Sequence, residues 1–227
     1  MELRPISKAE AARYMGVKGE PAGAVAELLD RAEQLVRKSV RPKYVYIMTD
    51  VEFTHGGVRL GGVVPLFTGK SITNHLKGCT RAILLAATLS AEADKLIRQA
   101  AVTDMAESLA IDCLCSAAIE QVCNTAEEEI FSRIDAPYRT WRFSPGYGDL
   151  PITLQRDILL ALNAQRRIGL TVTESMLMIP SKSVTAIIGI SDSPIERGES
   201  GCAACTMRDR CAFADTENSC TTRTCEN

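Results

Sequence analysis

The amino-acid sequence predicts an α+β fold: one domain with a mixed, largely antiparallel sheet flanked by helices. Three observations carry this expectation. Apolar residues recur at helical intervals from Val25 to Val40 and again between Ile111 and Ile130. The run Arg81–Ala87 (R-A-I-L-L-A-A) is continuously apolar, as in a strand buried on both faces. Helical and extended segments do not alternate strictly, which disfavours a doubly wound sheet.

The elements follow in order. Ser7 and Glu10 have capping-box spacing, so a short helix begins there. Val25, Leu28, Leu29, Ala32, Leu35, Val36 and Val40 form one stripe of a second helix, which Pro42 ends. K-Y-V-Y-I-M is β-branched and aromatic and reads as a strand. H-G-G at 55–57 reads as a turn into a second strand, followed by short extended pieces broken by Gly61, Gly62 and Pro65. Residues 71–77 form a short helix ending at Gly78. After the apolar strand, Ser90 caps a helix with Glu92 in its first turn.

Residues 103–132 read as one long helix. Cys115, Ile119, Cys123, Ala126 and Ile130 form its apolar stripe, with Ile111, Leu114, Ala118 and Val122 beside it. Small residues at Ala110, Ser116, Ala117 and Ala118 allow another element to approach closely. Asp149 is placed to cap a helix over 150–168, ending at Gly169. Two extended runs follow, T-V-T-E-S-M-L-M-I and S-V-T-A-I-I-G-I. From Ser191 the composition turns polar. We therefore expect a domain over 1–192, with its helical N-terminal part at about 1–42, and a Cys-rich tail over 193–227.

Composition excludes some function classes. A net charge of −2 gives no sign of bulk nucleic-acid binding. No run approaches the roughly 18 apolar residues needed to span a bilayer. The start, M-E-L-R-P-I-S-K, lacks the apolar core of a signal peptide. The expectation is a soluble cytoplasmic protein with neither nucleic acid nor membrane as partner.

The nine cysteines form two groups. Cys79, Cys113, Cys115 and Cys123 lie in apolar surroundings and read as core residues. Cys202, Cys205 and Cys211, with Cys220 or Cys225 as a fourth thiolate, have spacing that suits zinc or an iron–sulfur cluster. A tail of free thiols is the bland alternative.

The stretch R-F-S-P-G-Y-G-D-L-P, Arg142–Pro151, is neither helix nor central strand, because it holds two prolines and two glycines. A guanidinium beside a rigid turn can grip a carboxylate at two points. Open backbone and Tyr147 beside it suit a small zwitterion with a flat ring. The competing reading is a plain strand-to-helix connection with Arg142 paired to a nearby acid.

R-F-S-P-G-Y resembles the R-x-x-x-G-Y signature of the activation domain of cobalamin-dependent methionine synthase. The downstream G-L-T-V-T-E-S-M-L-M-I-P-S-K-S-V-T resembles that family's L-T-E-S-x-x-M-x-P-x-x-S-V segment. The match is specific over about 138–190 and only general in character over 43–137. The whole chain is similar to stand-alone bacterial proteins related to this domain. These share R-L-x-G, H-L-K-G-C and L-L-A-A-T-L segments, seen here at Arg59–Gly62, His75–Cys79 and Leu84–Leu89.

The resemblance implies binding of S-adenosylmethionine by this loop. Arg142 would hold the carboxylate, and Ser144, Pro145 and Gly146 would supply backbone contacts. Tyr147 would pack near the sulfonium, on the face where a corrin docks. Glu174 would either bind a polar ligand group or sit in a buried strand with its own partner. The family's acid for the substrate's amino group has two candidates here, Asp50 and Glu52. A tyrosine that the family uses after the S-V segment is replaced by an aliphatic such as Ile187 or Ile188.

The implied reaction is reductive methylation of inactive cob(II)alamin, with positioning as the protein's main contribution and no catalytic residue assigned. The chain shows no D-x-H-x-x-G cobalamin signature, and neither His55 nor His75 fits one. It also lacks recognisable homocysteine, folate or corrinoid modules. The cobalamin would thus be carried by a separate corrinoid-binding methyltransferase, and the electron would come from a donor protein. Two other readings remain open. The first is a metal- or iron–sulfur-bearing module that docks a corrinoid protein and delivers electrons. The second, an ordinary methyltransferase, is weakened by the absence of a G-x-G-x-x-G loop after an early strand.

Overall fold

The computed structural model describes residues 1–195 and 208–210. Among them run the strands β1 (Lys43–Thr54), β2 (Gly57–Leu60), β3 (Arg81–Thr88), β4 (Tyr138–Arg139), β5 (Thr171–Val172), β6 (Met178–Ile179) and β7 (Ser183–Ser191). The helices are α1 (Lys8–Tyr14), α2 (Gly23–Ser39), α3 (Lys70–His75), α4 (Ala91–Thr103), α5 (Met105–Phe131), α6 (Leu154–Ala161) and α7 (Ala164–Ile168).

Five strands make one sheet in the order β2-β1-β3-β7-β4, and every pairing is antiparallel. β3 lies at its centre, with Leu84 opposite Ile47 on one side and Ile187 on the other. Its side chains alternate between two covered faces. Ile83 and Leu85 pack with Ile188 and Ile190 of β7 against Ala126 and Ile130 of α5. Ala82, Leu84 and Ala86 face Ile72 of α3, Leu76, and Leu154 and Ile158 of α6. Both faces exclude water, which is why Arg81–Ala87 reads as an unbroken apolar run. Each of these large aliphatic side chains contributes about 1.5–3 kcal/mol by burial.

α5 is the spine of the outer helical layer, in contact with α1, α2 and α4. Its Ala110, Ala117 and Ala118 are buried and permit the close approach expected of small residues. Ser7 caps α1 as its spacing predicts, its hydroxyl accepting from the Glu10 amide at 3.2 Å. Cys79, Cys113, Cys115 and Cys123 are buried free thiols in the core.

Several local expectations need correction. The helix expected over 103–132 begins only after Asp104, an extended residue whose carboxylate caps α5 by accepting from the amides of Ala106 and Glu107. Ser90 precedes α4 but does not cap it with its side chain. Its hydroxyl accepts from the Arg41 amide at 3.1 Å and so joins α4 to the end of α2. The helix expected over 150–168 is split into α6 and α7 by Asn163, which adopts a left-handed conformation at φ +49°. The run T-V-T-E-S-M-L-M-I is not one strand: it folds on itself as the β5–β6 hairpin, with Thr171 opposite Ile179. Met176 takes the left-handed position in its turn.

Candidate functional site

Residues 140–144 continue the sheet as an irregular edge along β7. The Thr140 amide donates to Gly189 O at 3.0 Å. Phe143 and Ile187 exchange both backbone hydrogen bonds, at 3.0 and 2.7 Å. The Ser144 hydroxyl donates to Thr185 O at 2.7 Å. This pairing explains why a segment rich in Pro and Gly is still held in place.

Aromatic packing fixes it further. His75, at the end of α3, lies 4.8 Å from Phe143, stacked, and 5.0 Å from Trp141, edge-on. Tyr147 meets Phe143 edge-on at 5.9 Å. The His75 Nε2 and Thr140 Oγ1 are hydrogen-bonded at 2.9 Å, and Thr140 Oγ1 also accepts from the Gly189 amide at 2.7 Å. Burial depresses the imidazole pKa to about 4, so the ring is neutral at pH 7. Trp141, Phe143 and Tyr147 thus pack with His75 and anchor one loop.

The turn that follows is closed by Tyr147 N–H to Ser144 O at 3.0 Å and Gly146 N–H to Leu150 O at 2.9 Å. Gly146 sits at φ +91°, a conformation that costs glycine nothing. Asp149 does not cap the helix after it. Its carboxylate instead accepts from the amides of Lys70 and Ser71, at 2.7 and 2.9 Å, and caps α3 from across the chain. Those backbone donors hold the Asp149 carboxyl below its usual range.

Arg142 points toward α5. Its Nη1 donates to Asn124 Oδ1 at 2.9 Å and to the Glu127 carboxylate, and its Nη2 to Glu120 Oε2 at 3.0 Å. Glu120, Asn124 and Glu127 are spaced i, i+4, i+7 and share one helical face. Burial opposes the charge of Arg142, but the two glutamates outweigh it and raise the guanidinium pKa above its ordinary value. Among the described residues, Nε and the second hydrogen of Nη2 take no acceptor. Tyr147 is 51% exposed at the same place. Burial and then the charge of Glu120 push its phenol up.

A hollow of about 470 Å³ adjoins this cluster, between α1, α5 and the segment 181–183. Tyr14, Asp112, Ser116, Glu120 and Lys182 line it. Glu120 is thus shared between the hollow and Arg142. Lys182 reaches in from the start of β7 and donates to Asp112 Oδ1 and Ser116 Oγ, each at 2.9 Å.

Sequence reasoning singled out Arg142, Ser144, Pro145, Gly146 and Tyr147, which fall on one loop. The amides of Gly146 and Tyr147 are used within the turn; Pro145 is buried and Gly146 exposed. Glu174 lies exposed in the β5–β6 turn, not in a buried strand. Asp50 and Glu52 lie exposed on β1, and Glu52 pairs with Arg59. β1 is three strand positions from β4, roughly 14 Å across the sheet. Ile187 and Ile188 are both fully buried, one on each sheet face. Cys202, Cys205, Cys211, Cys220 and Cys225 lie outside the described residues. Within the described residues, no group of three or more His, Cys, Asp or Glu is placed to hold a metal ion.

Arg142 is paired to nearby acids, as the competing reading of the loop expected, but Glu120, Asn124 and Glu127 were not singled out as its partners. Their signal was a polar i, i+4, i+7 stripe beside the apolar stripe of the same helix.

A sequence profile of the activation domain of vitamin B12 dependent methionine synthase matches residues 75–194, more than half of the chain. The chain belongs to this family. The match takes in both the His75–Cys79 segment and the 142–151 loop. The activation-domain fold recurs in a solved structure described as the MetH reactivation domain bound to AdoHcy. The two share 16% identity at a TM-score of 0.63, covering 88% of this chain and 78% of that one. No curated protein matches the chain. No helix among the described residues is long and apolar enough to cross a membrane.

Proposed function

We propose that this activation-domain protein binds S-adenosylmethionine at the 142–147 loop. It would present the methyl group to cob(II)alamin held by a separate corrinoid-binding methyltransferase, such as a methionine synthase lacking its own activation domain. The observation that carries this reading is the placement of Arg142. Family membership directs attention to this loop, and Arg142 is held from α5 with, among the described residues, no acceptor on Nε. A guanidinium fixed in this way suits a carboxylate.

The residues of this chain then have distinct tasks. Arg142 fixes the amino-acid end of the ligand. The backbone of Ser144, Pro145 and Gly146 would contact it, and Tyr147 would cover it on the exposed side. Glu174, exposed in the β5–β6 turn, would be a further polar contact. The corrinoid of the partner supplies the metal centre that accepts the methyl group, and a donor protein supplies the electron. Orientation of the methyl group toward that centre is the protein's contribution.

The test is a calorimetric titration with S-adenosylmethionine, repeated with a cob(II)alamin-loaded partner and a reductant. Saturable binding and growth of the methylcobalamin spectrum are expected. Absence of binding to the intact chain would refute the reading.

A further inference from the structure

The two acids that hold Arg142 differ in their surroundings. The Glu127 side chain is 17% exposed and lies inside the cluster, whereas Glu120 is 43% exposed and forms part of the wall of the adjoining hollow. Glu127 is therefore the more enclosed counter-charge, and Glu120 is the one that also faces the hollow. Arg142, Glu120 and Glu127 together carry one net negative charge. The nearby Lys182 and Asp112 pair with each other and cancel. On α1, the Arg13–Glu10 pair also cancels.

We infer that Glu120 makes this site selective for a cationic sulfonium over a neutral thioether. The inference rests on the S-adenosylmethionine reading above and deepens it. S-Adenosylmethionine carries a carboxylate, an ammonium and a sulfonium, a net charge of +1. S-Adenosylhomocysteine, left after methyl loss, carries only the first two and is neutral. With the carboxylate on Arg142, the sulfonium lies next to Glu120, and the adenosyl body extends into the hollow. Loss of the methyl group removes the charge that Glu120 attracts, so the spent product is released in preference to the donor. Asp50 and Glu52 cannot serve in this way, because three strand positions separate them from the loop.

The experiment measures the dissociation constants of both ligands on the full chain, on Glu120→Gln and on Glu128→Gln. Glu120→Gln should weaken S-adenosylmethionine roughly tenfold and S-adenosylhomocysteine by less than about twofold. Glu128, which pairs with Arg4, serves as the control, and its variant should leave both constants unchanged. Raising ionic strength should narrow the preference of the unmodified chain, a readout that needs no variant. If the unmodified chain binds neither ligand, the S-adenosylmethionine reading falls and this inference with it. If both ligands bind and Glu120→Gln leaves their ratio unchanged, or weakens both equally, the selectivity role is refuted while the binding reading stands.

Discussion

Arg142 and Glu127 form an ion pair in which each side chain is only 17% exposed. It joins the 142–151 loop to α5. Removing the guanidinium leaves Glu127 partly buried without its partner, and truncating such a pair costs roughly 3 kcal/mol of stability. Arg142→Ala should therefore lower the unfolding midpoint in urea. It should also weaken S-adenosylmethionine binding by about 2–4 kcal/mol, roughly 30- to 1,000-fold. Arg142→Lys keeps the charge but loses the fork, so its affinity should fall between the two. Calorimetry on the three proteins checks this; equal affinity in all three would remove Arg142 from the site.

His75 gives the protein a calculable acid response. Burial holds its pKa near 4, below the value of about 6.5 expected in the unfolded chain. The unfolded state therefore binds the proton more readily than the folded state between these values. Stability is full above about pH 6.5 and falls by roughly 3 kcal/mol as pH drops to about 4. His75→Phe should flatten this slope, measured by urea denaturation at a series of pH values. An unchanged slope would mean that other groups carry it.

Gly189 is a steric necessity. A Cβ there would stand 2.5 Å from Cys79 Sγ and 3.0 Å from Leu76 Cδ2. Gly189→Ala should destabilise the protein by about 1–3 kcal/mol through overpacking. Cys79→Ala removes the obstructing sulfur, so the double variant should recover part of the loss relative to the sum of the single changes. A thermal double-mutant cycle with no coupling would contradict this packing.

Asp149→Ala removes the acceptor for two amides at the start of α3. The melting temperature should fall by a few degrees at neutral pH. The carboxyl is held below its usual range, so its contribution is present at neutral pH and disappears as acid protonates it. The difference between Asp149→Ala and the unmodified protein should therefore shrink at low pH. A constant difference from pH 7 to about pH 3 would argue against the cap.

Local periodicity made much of this fold legible. The stripe of α2 and the apolar run of β3 follow directly from which faces are covered. The loop of the candidate site was legible too, because Pro and Gly restrict it so strongly. Long-range partners were not legible. The Asp149 cap joins residues 78 and 79 positions apart, and nothing local distinguishes it from a cap on the next helix. Asn163 breaks a helix through one left-handed residue that periodicity does not register. The Arg142 partners were visible as a polar stripe on α5, but only the tertiary fold shows what that stripe faces. Placing Glu174 in a strand failed because a run of β-prone residues long enough for one strand also suits two short ones and a turn.

The cap from Asp149 onto α3 has a consequence for protein engineering. The candidate loop is not a portable peptide, since its far end is fastened to the start of a helix 78 and 79 residues earlier in the chain. Transplanting 141–151 alone into another scaffold would deliver a floppy segment. The smallest transferable unit is a discontinuous pair, 69–79 with 141–151, carried on a common support.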